Sequence, residues 1–142
     1  SIIHSMVEYV DGGIIAQLGT PDMKLPIQYA LFYPDRRPMK GKRVDFYELG
    51  TITFEKPDME TFTGLKLALR AASTGGSLPT VFNAANEMAV SLFLKKKIPY
   101  LTIPDMIQAS MEHHKKVDAP DVDQILAAEA ETYDFIHSKW NI

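Results

Sequence analysis

The spacing of apolar residues changes near residue 59 of this 142-residue chain. Before that point, β-branched and apolar residues occur in short runs separated by Gly and Pro, which is typical of strands and turns. After it, apolar residues recur at helical spacing with no further strand signal. The change predicts an α+β fold in two domains, with a partial β-sheet in residues 1–58 and a helical bundle in residues 59–142.

Four helices are predicted in the second domain, over about residues 61–72, 78–96, 102–116 and 118–139. Gly75 and Gly76 favour a C-cap for the first helix, and lysines in the last turn of the second suit the helix dipole. Thr102, with Asp105 three residues on, is the expected N-cap of the third, and Pro120 lies just inside the fourth. The short connections predict a four-helix bundle.

A hairpin is predicted at the start of the first domain, with strands over residues 2–10 and 14–18 joined by a Gly-rich turn. Pro26 is expected to open one short helix and Pro34 to end it. Residues 51–55 alternate like a third strand. Since neither face of the hairpin is cleanly polar, it needs cover on both sides, from another layer or a partner subunit.

Composition excludes several classes of function. The chain has no cysteine, so disulfides and thiolate metal sites are excluded. A net charge of −3 gives no general attraction to nucleic acid or to an anionic membrane. The basic run from Arg36 to Arg43 lacks interleaved aromatics and is expected to be a solvated loop. No apolar run approaches the ~20 residues of a membrane span, and no signal peptide is visible after Ser1.

His4, in the first predicted strand, is one candidate for chemistry. It is either a half-buried ring with satisfied nitrogens or a functional group whose companions come from elsewhere in the fold. No glycine-rich phosphate loop, nucleophile elbow or His-Glu metal motif accompanies it. From the residues alone, the chain lacks a complete active site.

Two further polar groups occur in the predicted helices. Asn83, Asn86 and Glu87 share one helix face, and a hydrogen-bonded network is favoured there, because hard cations usually gather several carboxylates. His113 and His114 are adjacent, so on a helix they point about 100° apart. A solvated face is therefore expected instead of a shared metal.

The stretches IIHSMVEYVDGGIIAQLGTPDMKLPIQYA, VDFYELGTITFEKPD, GLKLALRA and FNAANEMAVSLFL occur in the order and spacing of one enzyme family. The chain resembles the 1-deoxy-D-xylulose 5-phosphate reductoisomerases over essentially its whole length. That family has an NADPH-binding domain, a central catalytic domain and a C-terminal helical domain. The resemblance implies that residues 1–58 end the central domain, which also forms a homodimer interface, and that residues 59–142 are the helical domain.

The family rearranges and reduces a sugar phosphate with NADPH and Mg²⁺ or Mn²⁺. Its metal carboxylates, phosphate-binding residues and cofactor fingerprint lie upstream of Ser1, so no metal ligand is expected here and neither cofactor is expected to bind this chain alone. His4 matches a histidine associated with activity and is the expected catalytic residue. Pro21 and Met23 match residues that line the pocket where nicotinamide and substrate meet, and are the expected cofactor contacts.

The leading hypothesis is a C-terminal fragment of the reductoisomerase, inactive without its N-terminal half. One alternative is a non-catalytic helical interaction or dimerisation module that kept the fold. Another is one subunit of a split enzyme. Neither nucleic acid nor a membrane is an expected partner. The resemblance implies the bacterial cytoplasm, or a plastid-type organelle, as the location.

Overall fold

A computed structural model describes residues 2–142 of the chain. Its elements, in chain order, are β1 (Ile3–Glu8), β2 (Ile14–Leu18), α1 (Lys24–Phe32), α2 (Phe46–Leu49), α3 (Thr63–Thr74), α4 (Leu78–Leu94), α5 (Thr102–His113) and α6 (Val122–Trp140). The chain divides into two compact units, and the boundary lies between Glu55 and Lys56. We call them the hairpin unit, up to Glu55, and the helical unit, from Lys56. The α+β class predicted from the sequence is confirmed.

β1 and β2 pair antiparallel, and the turn between them closes with hydrogen bonds between Tyr9 and Gly12 and between Tyr9 and Gly13. Gly12 has a φ of +84°, a conformation that glycine adopts without strain. Apolar side chains of both strands are exposed, including Val7 at 53% and Ile15 at 65%. None of residues 2–55 is buried. The hairpin unit therefore has no closed hydrophobic core.

The β1–β2 register contains an irregularity at His4. Ile3 lies opposite Leu18, whereas Ser5 lies opposite Gln17, so β1 has one more residue than β2 at this point. That extra residue is His4, and the arrangement is a β-bulge. A bulge interrupts the strict alternation of side chains, so the two faces inferred from the sequence do not continue unchanged through His4.

The third strand predicted over residues 51–55 is wrong, because these residues form no strand. The backbone N–H of Thr51 donates to the carbonyl of Leu49 in a turn, and Phe54 is exposed. A strand requires a ladder partner, and within residues 2–142 only β1 and β2 pair with each other. An alternating pattern supplies the side chains for a strand but not that partner.

The short helix α1 begins at Lys24, two residues before Pro26, where the sequence predicted it to open. The Asp22 carboxylate accepts a hydrogen bond from the Lys24 backbone N–H at 2.9 Å. Pro26 is tolerated at the third helical position because its missing N–H would have no helical partner there. The helix ends at Phe32, and the residue after it is extended, as expected before Pro34.

A second short helix, α2, was not predicted. Its N-cap is Asp45, whose carboxylate accepts hydrogen bonds from the backbone N–H groups of Tyr47 and Glu48 at 2.8 and 3.2 Å. Such caps stabilise a helix start by roughly 1 kcal/mol. The only sequence signal for this helix was Asp45, a common N-cap residue, directly before the apolar Phe46. A helix of four residues is too short to show helical periodicity.

The helical unit is a bundle in which α4 packs against α3, α5 and α6, so the predicted four-helix bundle is confirmed. Val81, Met106 and Ile136 are completely buried at its centre. Burying a side chain of this size contributes about 1.5–3 kcal/mol. The rest of the core comes from all four helices: Leu67, Ala71, Leu78, Ala85, Ala89, Leu92, Ile107, Met111 and Ala128.

Two helix starts differ from the prediction. α5 begins at Thr102, but Thr102 is not its N-cap, because the preceding turn supplies a backbone carbonyl, that of Pro99, to the Thr102 N–H. α6 begins at Val122 and not near residue 118. Asp121 and Gln124 form a reciprocal capping box with hydrogen bonds of 2.8 and 3.0 Å, which fixes that start.

Two helix ends can be compared with the prediction. α3 ends at Thr74, and Gly75 is its C-cap. Gly75 has a φ of +67° and donates its N–H to the carbonyl of Ala71, so the predicted C-cap is confirmed. α4 ends at Leu94, so its lysines follow the helix and do not lie in its last turn.

Ser77 connects the loop before α4 to the loop after α5. It is completely buried. Its backbone N–H donates to the carbonyl of Val117, and its Oγ accepts a hydrogen bond from the backbone N–H of Val117, each at 2.9 Å. Its Oγ also hydrogen-bonds the Nε2 of His114 at 2.7 Å. A Cβ on the preceding Gly76 would lie 2.2 Å from the Val117 carbonyl oxygen, so only glycine fits. α5 therefore ends at His113, before the predicted residue 116, and His114 is extended.

Replacing Ser77 with Ala should lower the free energy of unfolding by at least about 1 kcal/mol, because it leaves the partly buried N–H of Val117 without its acceptor. Ser110→Ala is the matched control. Ser110 is also buried, but its Oγ donates only to a helical carbonyl, that of Met106, so a loss below about 1 kcal/mol is expected. Urea denaturation followed by circular dichroism measures both. Equal losses would contradict the special role of Ser77.

Candidate functional site

His4 lies against the backbone at the end of β2. A Cβ built on Gly19 would be 3.5 Å from the His4 Cε1 and 3.8 Å from its Nδ1, so the imidazole rests on the space that a side chain at residue 19 would occupy. The Gly19 N–H donates to the carbonyl of Ile2 at 3.0 Å, which fixes the glycine beside the bulge. His4 is exposed, so the half-buried ring weighed from the sequence is not observed.

Pro21 and Met23 follow Gly19 by two and four residues, in the turn that leads into α1. Met23 is the N-cap residue of α1 and is 70% exposed, and Pro21 is also exposed. Between them, Asp22 holds the turn through its own backbone and carboxylate. Pro21 and Met23 are thus exposed apolar side chains within four residues of Gly19, beside which the His4 ring lies.

A cavity of about 570 Å³ lies beside this turn, within the hairpin unit. Gly19 and Pro21 line it, whereas His4 and Met23 do not. Its apolar wall comes from β2, α1, the segment before α2 and the first residue of α2: Leu18, Leu25, Val44 and Phe46. The basic run after α1 also lines the cavity. That run is exposed, as predicted, but nothing in its residues predicts that it borders a cavity.

The residues predicted to form a polar network in α4 do so in part. Asn83 donates to a carboxylate oxygen of Glu87 at 3.3 Å. On α6, Tyr133 donates to Glu129 at 2.8 Å. The pKa of Tyr133 rises from 10.0 to about 12, chiefly because of this hydrogen bond, with burial and the negative charges of Glu129 and Glu87 adding to it. The rise in the pKa of Tyr133 therefore comes mainly from Glu129 on the same helix, and Glu87 of α4 makes the smallest contribution.

The solvated face predicted for the adjacent histidines holds for His113, which is exposed, but not for His114, which is half-buried. The His113 ring stacks on Phe135, with ring centroids 4.1 Å apart and planes 10° apart. His114 instead bonds Ser77. The two rings have different partners, and each has a structural contact. Among residues 2–142 no three His, Asp or Glu side chains are grouped so that they could hold a metal ion.

Comparison with known proteins identifies one family. The sequence model of the DXP reductoisomerase C-terminal domain matches residues 18–135. The 1-deoxy-D-xylulose 5-phosphate reductoisomerase of Lachnospira eligens is 59% identical over 140 residues, and that of Lachnoclostridium phytofermentans is 61% identical over 137. These alignments cover 99% and 96% of this chain but only 37% and 35% of the relatives. The chain therefore spans little more than a third of their length.

Solved structures agree with the sequence comparison. The reductoisomerase of Zymomonas mobilis in complex with NADPH has a TM-score of 0.85 and 39% identity, covering 96% of this chain and 36% of that one. A DOX-P reductoisomerase in complex with NADPH, fosmidomycin and magnesium has a TM-score of 0.87 and 38% identity, covering 98% and 36%. No helix among residues 2–142 has both the length and the apolar character needed to cross a membrane.

Tyr133→Phe tests the hydrogen bond between Tyr133 and Glu129. Because the pKa of Tyr133 is raised in the folded chain, its hydrogen bond stabilises the fold below about pH 10 and is lost as pH rises through about 12. The stability difference between the unaltered chain and Tyr133→Phe should therefore be constant near neutral pH and shrink above about pH 10.

Urea denaturation across this pH range measures the difference. Tyr47→Phe is the control, because Tyr47 is almost fully exposed and should show no such trend. A pH-independent difference at Tyr133 would contradict the stabilising role of this hydrogen bond.

Proposed function

This chain belongs to the 1-deoxy-D-xylulose 5-phosphate reductoisomerase family, and on that premise we propose that it is the C-terminal part of such an enzyme. The enzyme converts 1-deoxy-D-xylulose 5-phosphate to 2-C-methyl-D-erythritol 4-phosphate with NADPH and Mg²⁺ or Mn²⁺. Sequence identity of 59% over 99% of the chain supports the assignment. Because the relatives are bacterial, we place the enzyme in the bacterial cytoplasm.

The observation that carries a catalytic assignment is the bulge at His4. β-Bulges re-aim a side chain and are common beside active sites, and this one places an exposed imidazole against Gly19, close to the turn with Pro21 and Met23. A histidine can donate or accept a hydrogen bond at each ring nitrogen near neutral pH. We assign His4 to contact with the sugar-phosphate substrate, where it hydrogen-bonds an oxygen or moves a proton.

Pro21 and Met23 suit a contact with the nicotinamide ring of NADPH. Both are exposed and apolar, and an apolar wall excludes water from the path of a transferred hydride. NADPH supplies that hydride when it is bound. The residues of this chain do not fit the metal, because residues 2–142 contain no suitable group of ligands. We therefore assign the metal to the N-terminal half, and the family resemblance supports the same assignment for the nucleotide phosphates.

The two units fit two domains of the family. We assign residues 1–58 to the end of the central catalytic domain and residues 59–142 to the C-terminal helical domain. The exposed apolar side chains of both strands, such as Val7 and Ile15, support the proposal that the hairpin contacts other parts of the enzyme. In this assignment they are covered by the N-terminal half and by a second subunit of a homodimer.

Mixing tests the assignment directly. The chain alone should not oxidise NADPH in the presence of 1-deoxy-D-xylulose 5-phosphate and Mn²⁺. Addition of an N-terminal half prepared from the Lachnospira eligens relative should restore turnover. Absorbance of NADPH measures both. Turnover by the chain alone would contradict the fragment assignment, and a folded dimer that stays inert in the mixture would favour a non-catalytic interaction module.

His4→Ala in the full-length enzyme should lower kcat by about 100-fold or more, the usual contribution of a positioned acid–base group. Its melting temperature should change by only a few degrees, because His4 is exposed and outside the core. Ser5→Ala is the control, since Ser5 is the next residue of β1 and also exposed. A large loss of melting temperature with near-normal kcat would make His4 architectural and overturn its catalytic role.

A further inference from the structure

The cavity beside Pro21 has an excess of positive charge. Four basic residues line it: Arg36, Arg37, Lys42 and Arg43. Its two acidic lining residues are already engaged, because Asp35 pairs with Arg37 at 3.4 Å and Asp22 lies 3.9 Å from the Lys24 ammonium. Among residues 2–142, no carboxylate lies within ion-pair distance of the other three cations. Their charge is available to a ligand.

Arg36 is held by an aromatic ring. Its guanidinium carbon lies 3.6 Å from the centroid of the Tyr29 ring, within the range of a cation–π interaction. This contact uses the face of the guanidinium and leaves its N–H groups for another partner. A guanidinium offers paired N–H donors that match the oxygens of a phosphate group. Arg36 is thus positioned before any ligand arrives.

The loop that carries the cations is fixed to the elements around it. The Thr20 hydroxyl donates to the carbonyl of Lys42 at 2.9 Å. The Gln28 side-chain amide, on α1, donates to the carbonyl of Pro38 at 3.4 Å. A loop held at two points loses less conformational entropy on binding than a free one, which favours affinity.

The same cavity is also lined by apolar side chains, which include Leu18, Leu25 and Phe46. The cavity volume of about 570 Å³ lies within the usual range for small-molecule sites. A cavity lined by both cations and apolar side chains matches a ligand that has an anionic group and an apolar body. A concave site of this size suits a small molecule and not a nucleic-acid strand.

We propose that this cavity binds a phosphate ester of a small organic molecule, with the phosphate on Arg36, Lys42 and Arg43 and the organic part against the apolar wall. This site is distinct from the nucleotide phosphate site, which the proposed function assigns to the N-terminal half. It shares Pro21 with the proposed nicotinamide contact, but the experiments that test it use no NADPH, sugar-phosphate substrate or metal. The proposal therefore stands or fails independently of that function.

Calorimetric titration of the 142-residue chain with butyl phosphate and with inorganic phosphate tests the site. One butyl phosphate should bind per chain, and inorganic phosphate should bind about tenfold or more weakly, because it lacks the apolar part. Absence of butyl phosphate binding would overturn the proposal. Equal affinity for the two ligands would also overturn it.

The variant Arg36→Gln/Arg43→Gln should weaken butyl phosphate binding by about tenfold or more, since each lost charge-assisted hydrogen bond is costly. Lys95→Gln/Lys97→Gln is the matched control, because it removes the same charge from exposed residues after α4 and should change affinity by less than about twofold. Equal weakening in both variants would show general charge attraction and overturn the site.

Amide chemical shifts of the unaltered chain give a test that depends on no substitution. On addition of butyl phosphate, the shifts that change should cluster at residues 18–22, 28–29 and 35–46, which border the cavity. This result decides the question if the arginine variant fails to fold. Changes centred on residues 95–97 instead would contradict the proposal.

Discussion

The distribution of burial governs how this chain is stabilised. All the buried side chains among residues 2–142 lie in the helical unit, where α4 brings together residues from α3, α5 and α6. Hydrophobic burial can therefore stabilise the bundle within the chain itself. The hairpin unit has apolar side chains but buries none of them completely, and a two-stranded hairpin alone is marginal in water. Its apolar surfaces need atoms that this chain does not supply, which is the physical basis for assigning it to a larger catalytic domain.

Local hydrogen bonds shape the hairpin unit in the absence of a core. Asp11, Asp22 and Asp45 each accept a hydrogen bond from a backbone N–H two residues further on, at 2.8–2.9 Å. Each of these bonds fixes a turn or a helix start. The loss of conformational entropy is small, because each bond joins residues only two positions apart. The segment that carries Gly19 and Pro21 lies between two of these turns. It borders both the His4 bulge and the cavity, so a few residues define two neighbouring surfaces.

Much of the candidate site was accessible from the sequence, but its geometry was not. His4, Pro21 and Met23 were identified through family resemblance, and their catalytic and cofactor roles stay predictions. The bulge at His4 depends on how β1 and β2 align, and nothing in either strand read separately reveals it. The basic run was expected to be a solvated loop because it lacks interleaved aromatics. Its place beside a cavity could not be predicted, because the hydrogen bonds from Thr20 and Gln28 that hold it there come from residues 10–22 positions away.

The sequence by itself determined the family, through motifs spread along the whole chain. It also determined the hairpin, the four main helices, the end of α1 before Pro34 and the C-cap at Gly75, because each of these depends on residues close together in the chain. Only the tertiary structure decided the rest. Residues 51–55 alternate like a strand but have no ladder partner, and α5 ends early where His114 and Val117 reach the distant Ser77. Periodicity and capping act over one or two turns, whereas ladder pairing and buried hydrogen bonds join residues that only folding brings together.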